Sequence, residues 1–174
     1  IILSQGFLLQ CDQLRPKSKG SITLKSDDPN ESPNSFFNYL SHPHDITELR
    51  EAFKKMNELI SQPAFDEFRG KRIKPSPDLK NNPDIDHWIR ETATTDYHPS
   101  GTCKMGKGPD AVVDEKLKVH GFDNLYVVDA SVMPEVVSGN LNAPTQMIAE
   151  KASDIILNNT PLKPVKANFH FQNS

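Results

Sequence analysis

The chain has few glycines, few cysteines and no long apolar run. Eight glycines against fourteen prolines in 174 residues point to extended connectors rather than tight turns. Two cysteines, Cys11 and Cys103, are too few for a disulfide framework and lack metal-ligand spacing, so both are expected to be free. Hydrophobic residues make up 36%, below the roughly 45–50% of an ordinary globular domain, a figure that also counts glycine. No apolar stretch approaches the ~20 residues needed to cross a bilayer. The start, Ile1-Ile2-Leu3, has neither an initiator methionine nor the charged region of a signal peptide. Twenty basic and 23 acidic residues are well mixed, with a net charge of −3. That leaves no basic stripe for nucleic acid and no polybasic arm for a membrane. No metal site is expected, because His42 and His44 supply two ligands and not a closed set. The expectation is a piece of a longer protein; a small loop-rich domain is the alternative that composition leaves open.

What is present is an α+β pattern. Phe7–Cys11 and Ser21–Lys25 read as short strands joined through the turn chemistry of Arg15-Pro16 and Gly20. The second alternates, with Ile22 and Leu24 on one face, as in a sheet with one wet side. Residues 26–33 and 76–83 are expected loops. Asp45-Ile-Thr-Glu48 resembles a capping box, after which Leu49, Phe53, Met56 and Ile60 recur at helical spacing until Gln62-Pro63. A shorter helix is expected from Ile85 to Glu91, with Trp88 as a core anchor. Val112-Val113, Leu117–Val119 and Leu125–Val128 are short β-branched runs, the last reading as a strand buried on both faces. A final helix runs from Pro144 to about Leu157, with Ile148, Ala152 and Ile155 on one face; Asn158, Asn159 and Pro161 end it. Residues 161–174 show no periodicity and read as a mobile tail.

His98 is the histidine with the most suggestive surroundings. It lies between Tyr97 and Pro99-Ser-Gly101, an extended backbone that permits close approach, and imidazole takes up protons near neutrality. A histidine merely hydrogen-bonded in a loop is the commoner outcome of such a pattern. His87, His120 and His170 have no constellation around them. Further along, Leu125-Tyr-Val-Val-Asp-Ala130 closes an apolar run on an acidic residue, and Ser138-Gly-Asn-Leu-Asn-Ala-Pro-Thr145 opens a helix. Proline in a first helical turn leaves backbone donors unpaired there.

Taken together, Tyr97-His-Pro-Ser-Gly-Thr-Cys-Lys-Met-Gly106, Leu125–Pro134 and Ser138–Thr145 strongly resemble the C-terminal part of the glucose-methanol-choline family of flavin oxidoreductases. The resemblance runs from Arg15-Pro-Lys-Ser-Lys-Gly20 to Leu157, and the wording is closest to the insect glucose-dehydrogenase-like branch. It implies an antiparallel sheet flanked by helices in residues 1–106, as part of a substrate-binding domain. It implies the last strand-loop-helix of the FAD domain in residues 107–160. The family's Gly-x-Gly-x-x-Gly turn is missing, so the chain alone is expected to be inactive, needing the N-terminal FAD-binding half. By the same resemblance, His98 is the base that takes the proton of a substrate hydroxyl while hydride passes to flavin N5. Asn140 falls at the family's second active-site position, holding the substrate oxygen. Asp129, Ala130, Asn142, Ala143, Pro144 and Thr145 fall on its flavin-contacting segments, with Asn142 open to a helix-capping role instead.

Tyr126 departs from the arginine that many members carry, which removes a charge contact from that position. Cys103 is read as a buried, inert thiol rather than a nucleophile. The implied activity is oxidation of the CH–OH group of an alcohol or sugar, with oxygen or a quinone as electron acceptor. A non-catalytic or truncated homologue serving as a binding or structural protein is the alternative. An extracellular location is implied by the resemblance, and the sequons Asn30-Glu-Ser32 and Asn158-Asn-Thr160 are compatible with it.

Overall fold

The computed structural model describes residues 6–75 and 79–166. His170, the tail beyond 166 and the start of the 76–83 loop (76–78) lie outside these residues. The first paired element is a two-stranded antiparallel sheet, β1 (Ser21–Thr23) and β2 (Asn34–Phe36), in the register Ser21↔Phe36, Ile22↔Ser35, Thr23↔Asn34. Gly20 is needed at its entry, because an added Cβ would stand 2.0 Å from the Phe36 carbonyl oxygen and 2.8 Å from that of Phe37. Two expectations fail here. Phe7–Cys11 is not a strand, since β1 takes Asn34–Phe36 as its partner instead. Nor does the sheet have one dry face: Ile22 and Leu24 are both exposed, Leu24 at 83%.

Helix α1 spans Pro43–Ile60 and α2 spans Asn82–Thr92. Ile46 and Phe53 of α1 are buried against Ile85 and Ile89 of α2, with Leu40, Leu49 and Trp88 packed around them. The Trp88 ring lies 5.4 Å from that of Phe53, the core-anchor role expected of it. The capping box is a correction. The N-cap of α1 is His42, whose imidazole accepts from the His44 N–H at 3.1 Å. Asp45 sits inside the first turn, only 1% exposed. Its carboxylate accepts from Gln13 Nε2 and the Lys17 N–H at 2.9 Å and from the Ser18 N–H at 2.8 Å. Burial pushes the Asp45 carboxyl up, but the Ser18 hydroxyl and these N–H donors outweigh it and hold the group at about 2. Glu48 does not reach back to the cap; it accepts from Gln13 Nε2 at 2.7 Å.

The second cluster buries Val113, Leu117, Val132 and Ala152, with Met105, Val127, Val128 and Ile148 against it. Its backbone is joined by single bridges, Met105↔Val113, Val113↔Val119 and Lys118↔Tyr126, rather than by regular strands. The strand expected at Leu125–Val128 is therefore reduced to one bridge; Leu125 is exposed and the other three are half-buried. Helix α3, Asn142–Leu157, closes the cluster through Ala152 and ends at Asn158 in the left-handed conformation. Met147 faces outward at 65% exposure.

Candidate active site

The loop carrying His98 begins where α2 ends. Thr95 Oγ1 accepts from the Tyr97 N–H at 2.9 Å, and Tyr97 adopts φ +62°, unusual for an aromatic residue. This turns the chain so that His98 is half-buried, its side chain 30% exposed, with Nε2 3.9 Å from Asp96 Oδ2. Gly101 follows at φ +86°, a conformation that favours glycine, with the Met133 carbonyl oxygen 3.4 Å from where a Cβ would stand. The backbone then runs beside residues 131–133: the Cys103 N–H donates to the Ser131 carbonyl at 3.0 Å and the Met105 N–H to that of Val132 at 2.9 Å. Cys103 is half-buried and free, as is Cys11, whose thiol burial pushes up, helped by the charge of Asp12.

Those hydrogen bonds bring the His98 loop against the segment that starts at Asp129 and Ala130. Asp129 uses its carboxylate locally, accepting from the Ser131 N–H at 2.7 Å and so capping a 3₁₀ turn over Ala130–Val132. Val132 and Met133 are buried, and the chain then surfaces from Pro134 to Asn140 before Leu141 is buried again. Gly139 adopts φ +153°, and its N–H donates to the Val137 carbonyl at 2.9 Å. Asn140 is thus exposed on the connection into α3.

Asn142 does not cap α3. The N-cap is Leu141, which offers no side-chain hydrogen bond, while Asn142 stands inside the helix and accepts from Gln146 Nε2 at 3.0 Å. The first-turn N–H groups near Asn142 and Ala143 consequently lack a side-chain cap, and Pro144 and Thr145 behind them are half-buried. The His98 loop, Asp129-Ala130 and the start of α3 are therefore linked through residues 131–141. Two clefts lie elsewhere among the described residues, one on α1 beside Lys55 and Gln62, the other beside Lys107, Asp114 and His120.

Arg15 is expected from the sequence only as a turn residue and Ser138 only as the start of a helix-opening segment, yet Arg15 Nη2 donates to Ser138 Oγ at 3.3 Å. Only the arginine's place in the Arg15–Gly20 segment signalled it; no local pattern pairs residues so far apart.

Comparison with known proteins matches this arrangement to one group. The chain is 44% identical over 174 residues to an oxygen-dependent choline dehydrogenase of Chromohalobacter salexigens, covering 99% of this chain and 31% of that protein. It is 45% identical over 166 residues to an oxygen-dependent choline dehydrogenase of Cronobacter sakazakii, covering 95% and 30%. Among solved structures, pyridoxine 4-oxidase from Mesorbium loti superposes with a TM-score of 0.79 at 30% identity, covering 85% of this chain and 29% of that one. A formate oxidase variant from Aspergillus oryzae, described for its FAD modification, gives a TM-score of 0.79 at 31% identity, covering 83% and 26%. The chain thus spans about 30% of the length of the curated relatives it matches. These relatives are bacterial choline dehydrogenases and lend no support to the expected glucose-dehydrogenase-like branch. A family profile described as GMC oxidoreductase matches residues 16–149, and the chain belongs to that family.

Proposed function

We propose that this chain is the substrate-facing and C-terminal portion of an FAD-dependent oxidoreductase acting on the CH–OH group of a small alcohol. FAD is the cofactor of the family, and the residues present suit it. The start of α3 has no side-chain cap, so its N–H groups and partial positive charge are free to face an electron-rich ring. The Asp129 carboxylate is already engaged by Ser131, and the Asp129 and Ala130 carbonyls accept from Val132 and Met133, so the backbone N–H groups of Asp129 and Ala130 are the ones offered to a polar cofactor. Asn142, Ala143, Pro144 and Thr145 would hold it from the helix side. When bound, FAD accepts the hydride, and the electron chemistry is its own. Residues 1–106 are assigned to the substrate domain and 107–160 to the FAD domain. The Cys103 and Met105 hydrogen bonds to Ser131 and Val132 join the end of the first to the second.

The observation that carries this reading is the seating of the His98 loop: Gly101 against Met133, and Cys103 and Met105 bonded to Ser131 and Val132. That seating anchors the loop just after His98, and on this reading the imidazole serves beside the segment leading from Asp129 to α3. An alcohol carbon releases hydride readily only as its hydroxyl proton departs, so a base next to that hydroxyl contributes roughly 10²–10⁴ in rate. His98 takes the proton. Asn140 does not titrate and serves by hydrogen-bonding the substrate oxygen.

Two of the relatives are named choline dehydrogenases, which makes choline the first alcohol to test. The experiment is anaerobic bleaching of the absorbance of the full-length, FAD-loaded protein that carries this chain, by choline, a panel of neutral alcohols and a panel of sugars. Bleaching by an alcohol supports the reading; bleaching by sugars alone, or by nothing, contradicts it.

A further inference from the structure

The Arg15–Gly20 segment is pinned by side chains that leave one of its members unused. Gln13 Nε2, the Lys17 N–H and the Ser18 N–H and hydroxyl all converge on the buried Asp45 carboxylate. Ser18 Oγ accepts in turn from the His42 N–H at 3.0 Å. Gly20 is pressed against the Phe36 carbonyl. The backbone is therefore fixed on both sides of Arg15, and Pro16 restricts it further. Arg15 itself takes no part in this anchoring. Its guanidinium reaches Ser138 Oγ at 3.3 Å, across 123 residues of sequence. Among the described residues this is the one side-chain hydrogen bond that joins the chain up to the end of α2 (Thr92) to the residues beyond it; the Cys103 and Met105 bonds to Ser131 and Val132 are made by backbone later in the chain. The target of Arg15 lies two residues before Asn140, in a connection held by buried Met133 and Leu141 and exposed in between except at half-buried Val136.

We propose that Arg15 is a positioning residue that holds the Ser138–Asn140 loop, and with it Asn140, in its working geometry. The catalytic half of this proposal rests on the assignment of Asn140 to the active site made above. A guanidinium carried on an anchored stretch of backbone is suited to the task, because its planar fork of donors sacrifices little freedom in holding one acceptor, whereas a lysine is a single flexible point of charge. An exposed loop with a glycine at its centre has few restraints of its own, and a misplacement of about 1 Å in a site costs as much as 10²-fold in rate.

The test uses the full-length, FAD-loaded protein that carries this chain, with Arg15→Ala, Arg15→Lys, Ser138→Ala, Asn140→Ala and the double variant Arg15→Ala/Asn140→Ala. Two quantities are read: the rate of anaerobic flavin reduction by the alcohol, and amide hydrogen exchange over residues 136–141. Arg15→Ala and Ser138→Ala are each expected to slow reduction about tenfold, with faster exchange in that loop and unchanged exchange in α1. Arg15→Lys should restore only part of the rate. In the Asn140→Ala background the Arg15→Ala loss should vanish, since positioning matters only while the positioned group is present. Equal losses with and without Asn140, or unchanged exchange in Arg15→Ala and Ser138→Ala, overturn the proposal. If Asn140→Ala leaves the rate untouched, the assignment of Asn140 fails and the catalytic half falls with it. Exchange then still decides whether Arg15 holds the loop. Ser138→Ala changes one exposed hydroxyl, so it gives an answer even if Arg15→Ala impairs folding.

Discussion

The Ser18 hydroxyl donates to Asp45 Oδ2 at 2.5 Å, joining a connector to a residue 27 positions later in the first turn of α1. Ser18 and Lys17 also offer their backbone N–H groups to the same carboxylate. A buried acid that satisfies this many donors is costly to remove, because each stranded N–H or O–H forfeits its partner away from water. This single side chain organises the approach to both the sheet and Arg15.

Acid stability follows directly from Asp45. Its carboxyl titrates at about 2 in the folded protein, against ~3.9 when unfolded. A depressed folded value gives stability that is fully present above the unfolded value and is lost as pH falls through about 2. The expected loss from this group is roughly 2 kcal/mol between pH ~5 and pH ~2. Thermal unfolding across that range should show Asp45→Asn starting less stable but with a shallower acid limb. Parallel limbs in the two proteins would place the acid sensitivity elsewhere.

Gly20→Ala should destabilise by roughly 2–4 kcal/mol, because its Cβ would collide with two backbone carbonyls that cannot rotate away. Gly70→Ala, with nothing within 4 Å of an added Cβ, should stay within about 0.5 kcal/mol of the parent. Melting temperatures of the two variants check this, and equal shifts would contradict the close approach at β2.

The start of α3 offers a redox prediction. Replacing Pro144 or Thr145 with a bulkier residue should push the bound flavin away from the uncapped helix end and lower its midpoint potential. The expected effect corresponds to about 0.3–1 kcal/mol of lost charge–dipole stabilisation. Spectroelectrochemical titration measures it; an unchanged potential would show that the helix end does not act on the ring.

The helices were legible because their information is local. Leu49, Phe53 and Met56 announce α1, and Ile148 and Ala152 announce α3, within a few turns of themselves. The errors came where a partner is distant. Asp45 looked like a cap because Glu48 follows it, while its true donors lie 27 to 32 residues upstream. The mate of β1 was hidden at Asn34–Phe36, beside a Ser-, Asn- and Pro-rich loop, and Phe7–Cys11 had the right composition but no partner. Asn142 resembled an N-cap, yet Leu141 already occupies that position. Of the candidate site, the loop that carries His98 and Gly101 was readable from its neighbours. Arg15–Ser138 was not, since folding alone brings those residues together.

The central claim is that His98 removes the hydroxyl proton of the substrate. The most direct measurement is the limiting rate of anaerobic flavin reduction by the alcohol in stopped flow, comparing the FAD-loaded parent with His98→Ala at equal flavin content. A drop of roughly 10²–10⁴ is predicted, with alcohol binding largely retained. A His98→Ala protein that reduces its flavin within about threefold of the parent rate would contradict the assignment.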